Sequence, residues 1–234
     1  MAKPKQAIDI RASLQETLFG RLSPQLLDEI VTSSRVERYD VATLLNAAGT
    51  QLEWLRLVIE GHIEIIVRRA NGKEVTLGDI GPRGWATWLP CFIPKAPEYD
   101  FVAGGGSCFI AIPVHVVRRF CEEHPQMYPW IIAEIGLRLR LLMDWTGQSV
   151  LVGPEQRMAK LILILARDQK LSGNSGTLMA NQTRLANLAR CSRQTANALL
   201  SGLEKKGLLN LAYGKLEILD MAKLATLADA DVES

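Results

Sequence analysis

Residues Asn181–Leu209 read NQTRLANLARCSRQTANALLSGLEKKGLL, and they decide the fold of the C-terminal part of the chain. The spacing predicts two short helices joined by a tight turn. In the second, Ala196, Leu199, Leu200 and Leu203 fall at i, i+3, i+4 and i+7, one apolar stripe. Arg193, Gln194, Asn197 and Ser201 fall on the opposite side. Arg can pair with guanine O6 and N7, and Gln or Asn with adenine N6 and N7. Ser192 stands where an N-cap belongs, and a helix N-terminus there suits a phosphate. The first helix, Gln182–Ala189, has its own core side in Leu185, Ala186, Leu188 and Ala189. The pattern predicts a helix-turn-helix whose second helix enters the major groove. Gln182 and Thr183, opening the first helix, complete the candidate DNA-binding set. The competing reading is a surface hairpin whose polar face meets only water. Against it, the outer face carries no carboxylate before Glu204.

Downstream, LLNLAYGKLEIL reads as two strands around Tyr213-Gly214-Lys215, a small β-wing, followed by a short helix Met221–Leu227. Upstream, residues 154–169 form a helix with Met158, Leu161, Ile162 and Leu165 apolar, and Gly173–Gly176 is a loop. Gly153-Pro154 ends a long helix opened by Pro125. Along it, Ile132, Ile135, Leu139, Leu142, Thr146 and Ser149 step 3-4-3-4-3, which is coiled-coil spacing. Such a seam calls for a second copy, and two-fold dimers are the commonest oligomers. The alternative is that it packs on the chain's own β-structure.

Before that helix the texture is different. Residues 11–34 read helical, with Ser23-Pro24 opening a second helix. From Val36 to Ile112 short apolar runs alternate with turn residues, and Asn71-Gly72 is a hairpin signal. Strands at this spacing suggest an antiparallel barrel or double-sheet roll. Val114–Phe120 is a short helix.

The chain has 234 residues, 48% hydrophobic content and a formal net charge of +2. That length accommodates two domains. Near-neutral charge argues against purely electrostatic DNA binding. Basic residues are local instead: Arg184, Arg190, Arg193, Lys205 and Lys206 stand against the single acid Glu204 within 182–206. Cys91, Cys108, Cys121 and Cys191 are widely spaced, so no metal or iron–sulfur cluster is predicted, and the thiols read as reduced. No apolar run approaches a membrane span, and the N-terminal residues lack a signal peptide's apolar segment, so a cytoplasmic protein is expected. A jelly-roll metal oxygenase would need His-x-His or two His and a carboxylate at ligand spacing. That spacing is absent, and no enzyme is predicted.

The layout resembles the cyclic-AMP receptor protein and fumarate–nitrate regulator (Crp/Fnr) family of bacterial transcription factors. The resemblance rests on VIEGHIEI with NGKEVTLGDIGP, and on RCSRQTANALLSGLEKKGLL. It implies an α+β chain: an eight-stranded jelly-roll sensor at 1–124, a dimerisation helix at 125–152, and a winged helix-turn-helix at 153–234. It also implies a homodimer on double-stranded DNA, with RNA polymerase a further candidate partner, and places Arg193, Gln194 and Asn197 against the bases. Ala198 falls where several members carry a contacting Arg.

The sensor departs from that pattern. Cyclic-nucleotide binders of the family carry a Gly-Glu-Leu segment and an Arg-Ser or Arg-Thr pair that clamps the phosphate. Here Trp85, Ala86, Thr87 and Trp88 stand around the first position, and Glu98-Tyr99 about where the second would be. Arg83 and Lys95 are the nearby cations left to substitute. Useful cyclic-AMP binding is therefore not expected. A pocket rimmed by Trp85, Trp88, Phe92, Tyr99 and Phe101, with Thr87 and Glu98 beside it, suits an apolar or aromatic effector; the alternative is that these rings merely fill the roll. No cofactor is predicted, and the effector is not identified. The absence of any cysteine before Cys91 excludes the family's N-terminal iron–sulfur sensor. His62, read as solvent-facing, His115 and His124, read as a helix cap, are weak candidates for haem. A rival reading keeps the fold as a ligand-binding or interaction module with lost DNA readout.

Overall fold

The computed structural model describes residues 7–69, 72, 74–86, 88–148, 152–169, 171–189, 191–212 and 214–230. Short polar side chains start the helices at the N-terminal end. Asp9 caps α1 (Ile10–Gln15), its carboxylate accepting the Ala12 N–H at 3.0 Å. Ser23 caps α2 (Pro24–Ser33), whose first residue has no N–H to satisfy. A single 3-10 turn, Leu18–Arg21, lies between them.

Eight strands follow: β1 (Arg35–Tyr39), β2 (Thr43–Asn46), β3 (Trp54–Glu60), β4 (Ile63–Arg68), β5 (Glu74–Ile80), β6 (Trp85–Ala86), β7 (Asp100–Ala103) and β8 (Ser107–Pro113). A short helix, α3 (Trp88–Phe92), interrupts them. Next come α4 (Val114–Glu123), α5 (Met127–Gln148), α6 (Pro154–Asp168), β9 (Gly176–Leu178), α7 (Gln182–Leu188), α8 (Arg193–Lys205), β10 (Leu209–Ala212), β11 (Lys215–Ile218) and α9 (Met221–Asp229). This is the expected α+β class, with an antiparallel roll ahead of a helix-turn-helix. No described helix is long and apolar enough to cross a membrane.

The chain packs as two compact units, one built on residues up to 63 with 82–135, the other on 64–81 with 136 onward. In the first, the sheet order is β1-β8-β3-β6, and β2 pairs with β7. One face of the core is supplied by alternate residues, Leu55 and Leu57 of β3 opposite Ile112 and Ile110 of β8. Cys91, Cys108 and Cys121 are buried, reduced thiols and Cys191 is half-buried. Burial pushes the Cys91 thiol up to about 12 and Cys121 to about 11. At neutral pH both are unreactive thiols rather than thiolates.

One feature of this unit was not legible as core. Along β1 the alternation puts Arg35, Glu37 and Tyr39 on one face, and Glu37 is buried. Its carboxylate accepts Arg56 Nε at 2.7 Å, Arg35 Nη2 at 2.6 Å and the Tyr39 hydroxyl at 3.2 Å. The register sets Ala111 of β8 opposite both Arg35 and Arg56. That small side chain leaves room for β1 and β3 to exchange charge across the strand between them. Arg35 also lies over the Trp54 ring, 3.6 Å from its centroid.

Several local expectations need correction. The loop at Gly173–Gly176 ends in a strand: β9 pairs with β11, so the wing sheet β10-β11-β9 has three strands rather than two. The short run around Trp88 forms a helix, whose C-terminal carbonyls at Pro90 and Cys91 accept the Arg118 guanidinium. His62 is half-buried rather than solvent-facing, its ring packed against Gly104 where any Cβ would clash with it. His124 is the C-cap of α4, its ring 4.5 Å from that of Phe120, rather than the start of α5. The Asn71 half of the hairpin turn lies outside the described residues, while Gly72 takes the positive φ of 79° that such a turn needs.

Candidate nucleic-acid interface

The second unit's core is made by α6, α7, α8, α9 and the wing. Met158, Ile162 and Leu165 of α6 meet Leu185 and Ala186 of α7, Ala196, Leu200 and Leu203 of α8, and Leu216 and Ile218 of β11. These are largely the stripes expected from spacing; Leu199 and Leu188 pack at the edge. A 3.6-residue period with this burial leaves the other side of α8 outside.

Ser192 caps α8, its Oγ accepting the Thr195 N–H at 3.0 Å. At the other end Gly207 adopts φ 68°, Leu208 N–H reaches the Leu203 carbonyl at 3.1 Å, and Gly207 N–H reaches that of Glu204 at 2.9 Å. This pair of bonds is the Schellman arrangement, which favours glycine at the left-handed position. The helix is therefore stopped at both ends by local chemistry, and its outward residues are held in place.

Arg193 and Gln194 are exposed on that outward side, as are Ala198 and Lys205. Ser201 is half-buried. Asn197 is half-buried as well, with its Oδ1 withdrawn from solvent and without a hydrogen-bond partner among the described residues. Gln182, at the start of α7, is half-buried, and the side chain of Thr183 lies outside the described residues. Glu204, the acid that ends the basic stretch, is turned to the wing, where its Oε1 accepts the Leu211 N–H at 2.8 Å. Lys206 pairs with Glu155 at the start of α6. Sequence spacing did not show either contact, because each partner is brought in by the tertiary fold.

Among the residues expected around an effector, the aromatic rings make contacts with one another. Trp85 and Trp88 are buried and pack with Phe19, ring centroids 5.3–6.3 Å apart. Tyr99 stands edge-on to Phe101 at 5.4 Å, and Phe92 pairs with Tyr128 at 5.9 Å. Glu98 is exposed and pairs with Lys95, while Arg83 pairs with Glu16. Thr87 lies outside the described residues. Both cations left to replace a phosphate clamp thus already face carboxylates.

On α5, Ile132 and Leu139 are exposed and Ile135 is half-buried. The side chains of Leu142 and Thr146, and Ser149 altogether, lie outside the described residues.

A capped helix with an apolar inner side and an Arg-Gln outer face, preceded by a short helix and packed with a three-stranded wing sheet, defines a winged helix-turn-helix. Residues 156–227 match the family model of the Crp-like helix-turn-helix domain. The chain is 21% identical over 192 residues to the cAMP-activated global transcriptional regulator CRP of Escherichia coli, covering 81% of this chain and 91% of that protein. It is 21% identical over 191 residues to the regulator Vfr of Pseudomonas aeruginosa, covering 79% and 89%. Among solved structures, FixK2 from Bradyrhizobium japonicum shares the fold at a TM-score of 0.71 and 13% identity, covering 85% of this chain and 99% of that one. Residues 156–227 thus form a Crp-like helix-turn-helix domain, and over most of its length the chain is similar to Crp-type transcription regulators.

Proposed function

We propose that the protein is a cytoplasmic homodimer that reads a near-palindromic operator and does not use cyclic AMP. In this reading residues 1–124 form the sensor roll, 125–152 the dimerisation helix and 153–234 the DNA reader. Two α8 helices enter successive major grooves about 34 Å apart. Ser192, Arg193, Gln194, Asn197 and Ser201, with Gln182 and Thr183, form the contact set, and RNA polymerase is a further partner. The observation that carries the reading is the exposed Arg193-Gln194 pair on a helix whose opposite face is core. Arg193→Ala is expected to cost about 1–3 kcal/mol of operator affinity and to relax specificity at one base pair per half-site. Selection of bound sites from a random duplex pool, with wild type and variant in parallel, reads both. Equal weakening on cognate and random DNA would remove Arg193 from base readout, whereas no salt-dependent binding to an operator fragment would favour a module whose DNA reading has been lost.

The sensor reading rests on charge. An Arg clamp supplies charge-assisted hydrogen bonds of about 1.5–3 kcal/mol each. Without two of them, a micromolar site weakens to about 0.1–10 mM. Lys95 and Arg83 pair with Glu98 and Glu16, which supports the same conclusion. Calorimetric titration with cyclic AMP should give no saturable heat at micromolar ligand; tight saturable binding would overturn the proposal. Any effector then belongs to another chemical class, with Trp85, Thr87, Trp88, Glu98 and Tyr99 the residues to probe first.

A further inference from the structure

Arg184 looks, in the sequence, like one of the basic residues offered to DNA. It is instead 5% exposed on α7, the first helix of the helix-turn-helix. Its Nη1 donates to the Met179 carbonyl at 2.6 Å, and its guanidinium pairs with Asp79 of β5, whose side chain is 1% exposed. Gln169, beyond the end of α6, clasps the same segment. Its Nε2 donates to Met179 O at 3.0 Å and its Oε1 accepts Met179 N–H at 2.9 Å. Gly81 follows β5, and a Cβ there would stand 3.1 Å from Gln169 Nε2 and 3.2 Å from Arg184 Nη2. The absence of a side chain is what lets the strand end come so close. Glu64 on β4 is also near: burial raises its carboxyl's pKa, the Arg184 charge lowers it, and Glu74, itself paired with Arg68, raises it. All of these residues belong to one compact unit.

A buried ion pair is a poor source of stability, because desolvation offsets most of the attraction. It is, however, a contact that one anion can take from another. A guanidinium recognises carboxylate and phosphate with the same planar fork. The first helix of a helix-turn-helix crosses the DNA backbone, so a phosphate and Asp79 are rival partners for Arg184.

We propose that the Asp79–Arg184 pair is an autoinhibitory latch: the β4–β5 segment withholds Arg184 from the DNA backbone and sets Glu64 and Asp79 beside α7. The inference rests on the DNA reading proposed above. Asp79→Asn keeps the size and removes the charge. Binding to a random-sequence 30-base-pair duplex, followed by fluorescence anisotropy against salt, should tighten several-fold. The logarithmic salt slope should steepen by about one per subunit, the signature of one more phosphate contact. Asp79→Asn/Arg184→Gln should lose that gain, because Arg184 delivers it. Amide exchange over residues 182–188 should speed up in Asp79→Asn without any DNA. Should Asp79→Asn fail to fold, Arg184→Lys, which keeps the charge and loses the fork, is expected to shift binding and exchange the same way.

Unchanged or weaker DNA binding by a folded single variant, beside a wild type that binds, overturns the latch. A gain that survives in the double variant does so too. If no form binds any duplex, the DNA reading itself fails, and unchanged exchange over 182–188 then overturns the latch separately.

Discussion

Replacing Ile132 and Leu139 together by glutamate is expected to yield a monomer, with operator affinity lower by on the order of 10³-fold or more. On α5 these side chains are 65% and 55% exposed, and Met143 further along is 65% exposed. A single surface leucine needs no explanation, but apolar side chains recurring on one long helix do. Paired against a second copy, the seam removes that surface from water at about 25 cal/mol per Å². Two glutamates per subunit would place four carboxylates in the same desolvated strip, where like charges repel. A monomer presents one recognition helix and keeps half of the base contacts, so binding falls toward the non-specific level. Sedimentation at micromolar protein reads the first effect, and operator titration the second. A double variant that still sediments as a dimer would mean that the proposed seam is not the interface.

Glu37→Ala is the largest expected loss of stability, about 3–5 kcal/mol, because it strands a buried guanidinium. Glu37 is 8% exposed and Arg56 6%. At about 2–4 °C per kcal/mol for a chain of this size, the midpoint should drop by about 6–20 °C. The pH dependence follows from the same contacts. Burial alone would raise the Glu37 carboxyl, but the Arg56 charge, its hydrogen bond and the Arg35 contacts outweigh burial and hold it below its ordinary 4.5. A carboxyl depressed on folding adds stability that is complete above the unfolded value and is lost as pH falls through the folded one. Wild type should therefore lose stability below pH 4.5, and its advantage over Glu37→Gln should narrow there. Thermal melts by circular dichroism from neutral to acid pH check both. A Glu37→Ala midpoint unchanged from wild type would show that the pair is solvated after all.

Local chemistry explains what was readable in advance. The α8 stripe, its Ser192 cap and the wing strands depend on neighbours within a few residues, and each stands where spacing placed it. The antiparallel roll was legible through alternation and turn residues, its eight strands through the family resemblance, and the helix-turn-helix through the run RCSRQTANALLSGLEKKGLL. The third wing strand was not, because Gly176–Leu178 is too short to show a period and exists through its pairing with β11. The aromatic residues of the sensor were legible as a group but not as an arrangement. Spacing cannot tell rings that line a space from rings that pack on one another, as Phe19, Trp85 and Trp88 do.

Charged residues mark the same boundary. The sequence by itself determined which faces are apolar, where helices begin and end, and which residues α8 turns outward, since those follow from backbone periodicity and capping. Only the tertiary structure decided that Arg184 faces Asp79 instead of solvent, that Glu204 serves the wing, and that Glu37 is buried between two arginines. Whether a charge is solvated or paired depends on what the fold brings to it from far along the chain, and residue spacing carries no record of that.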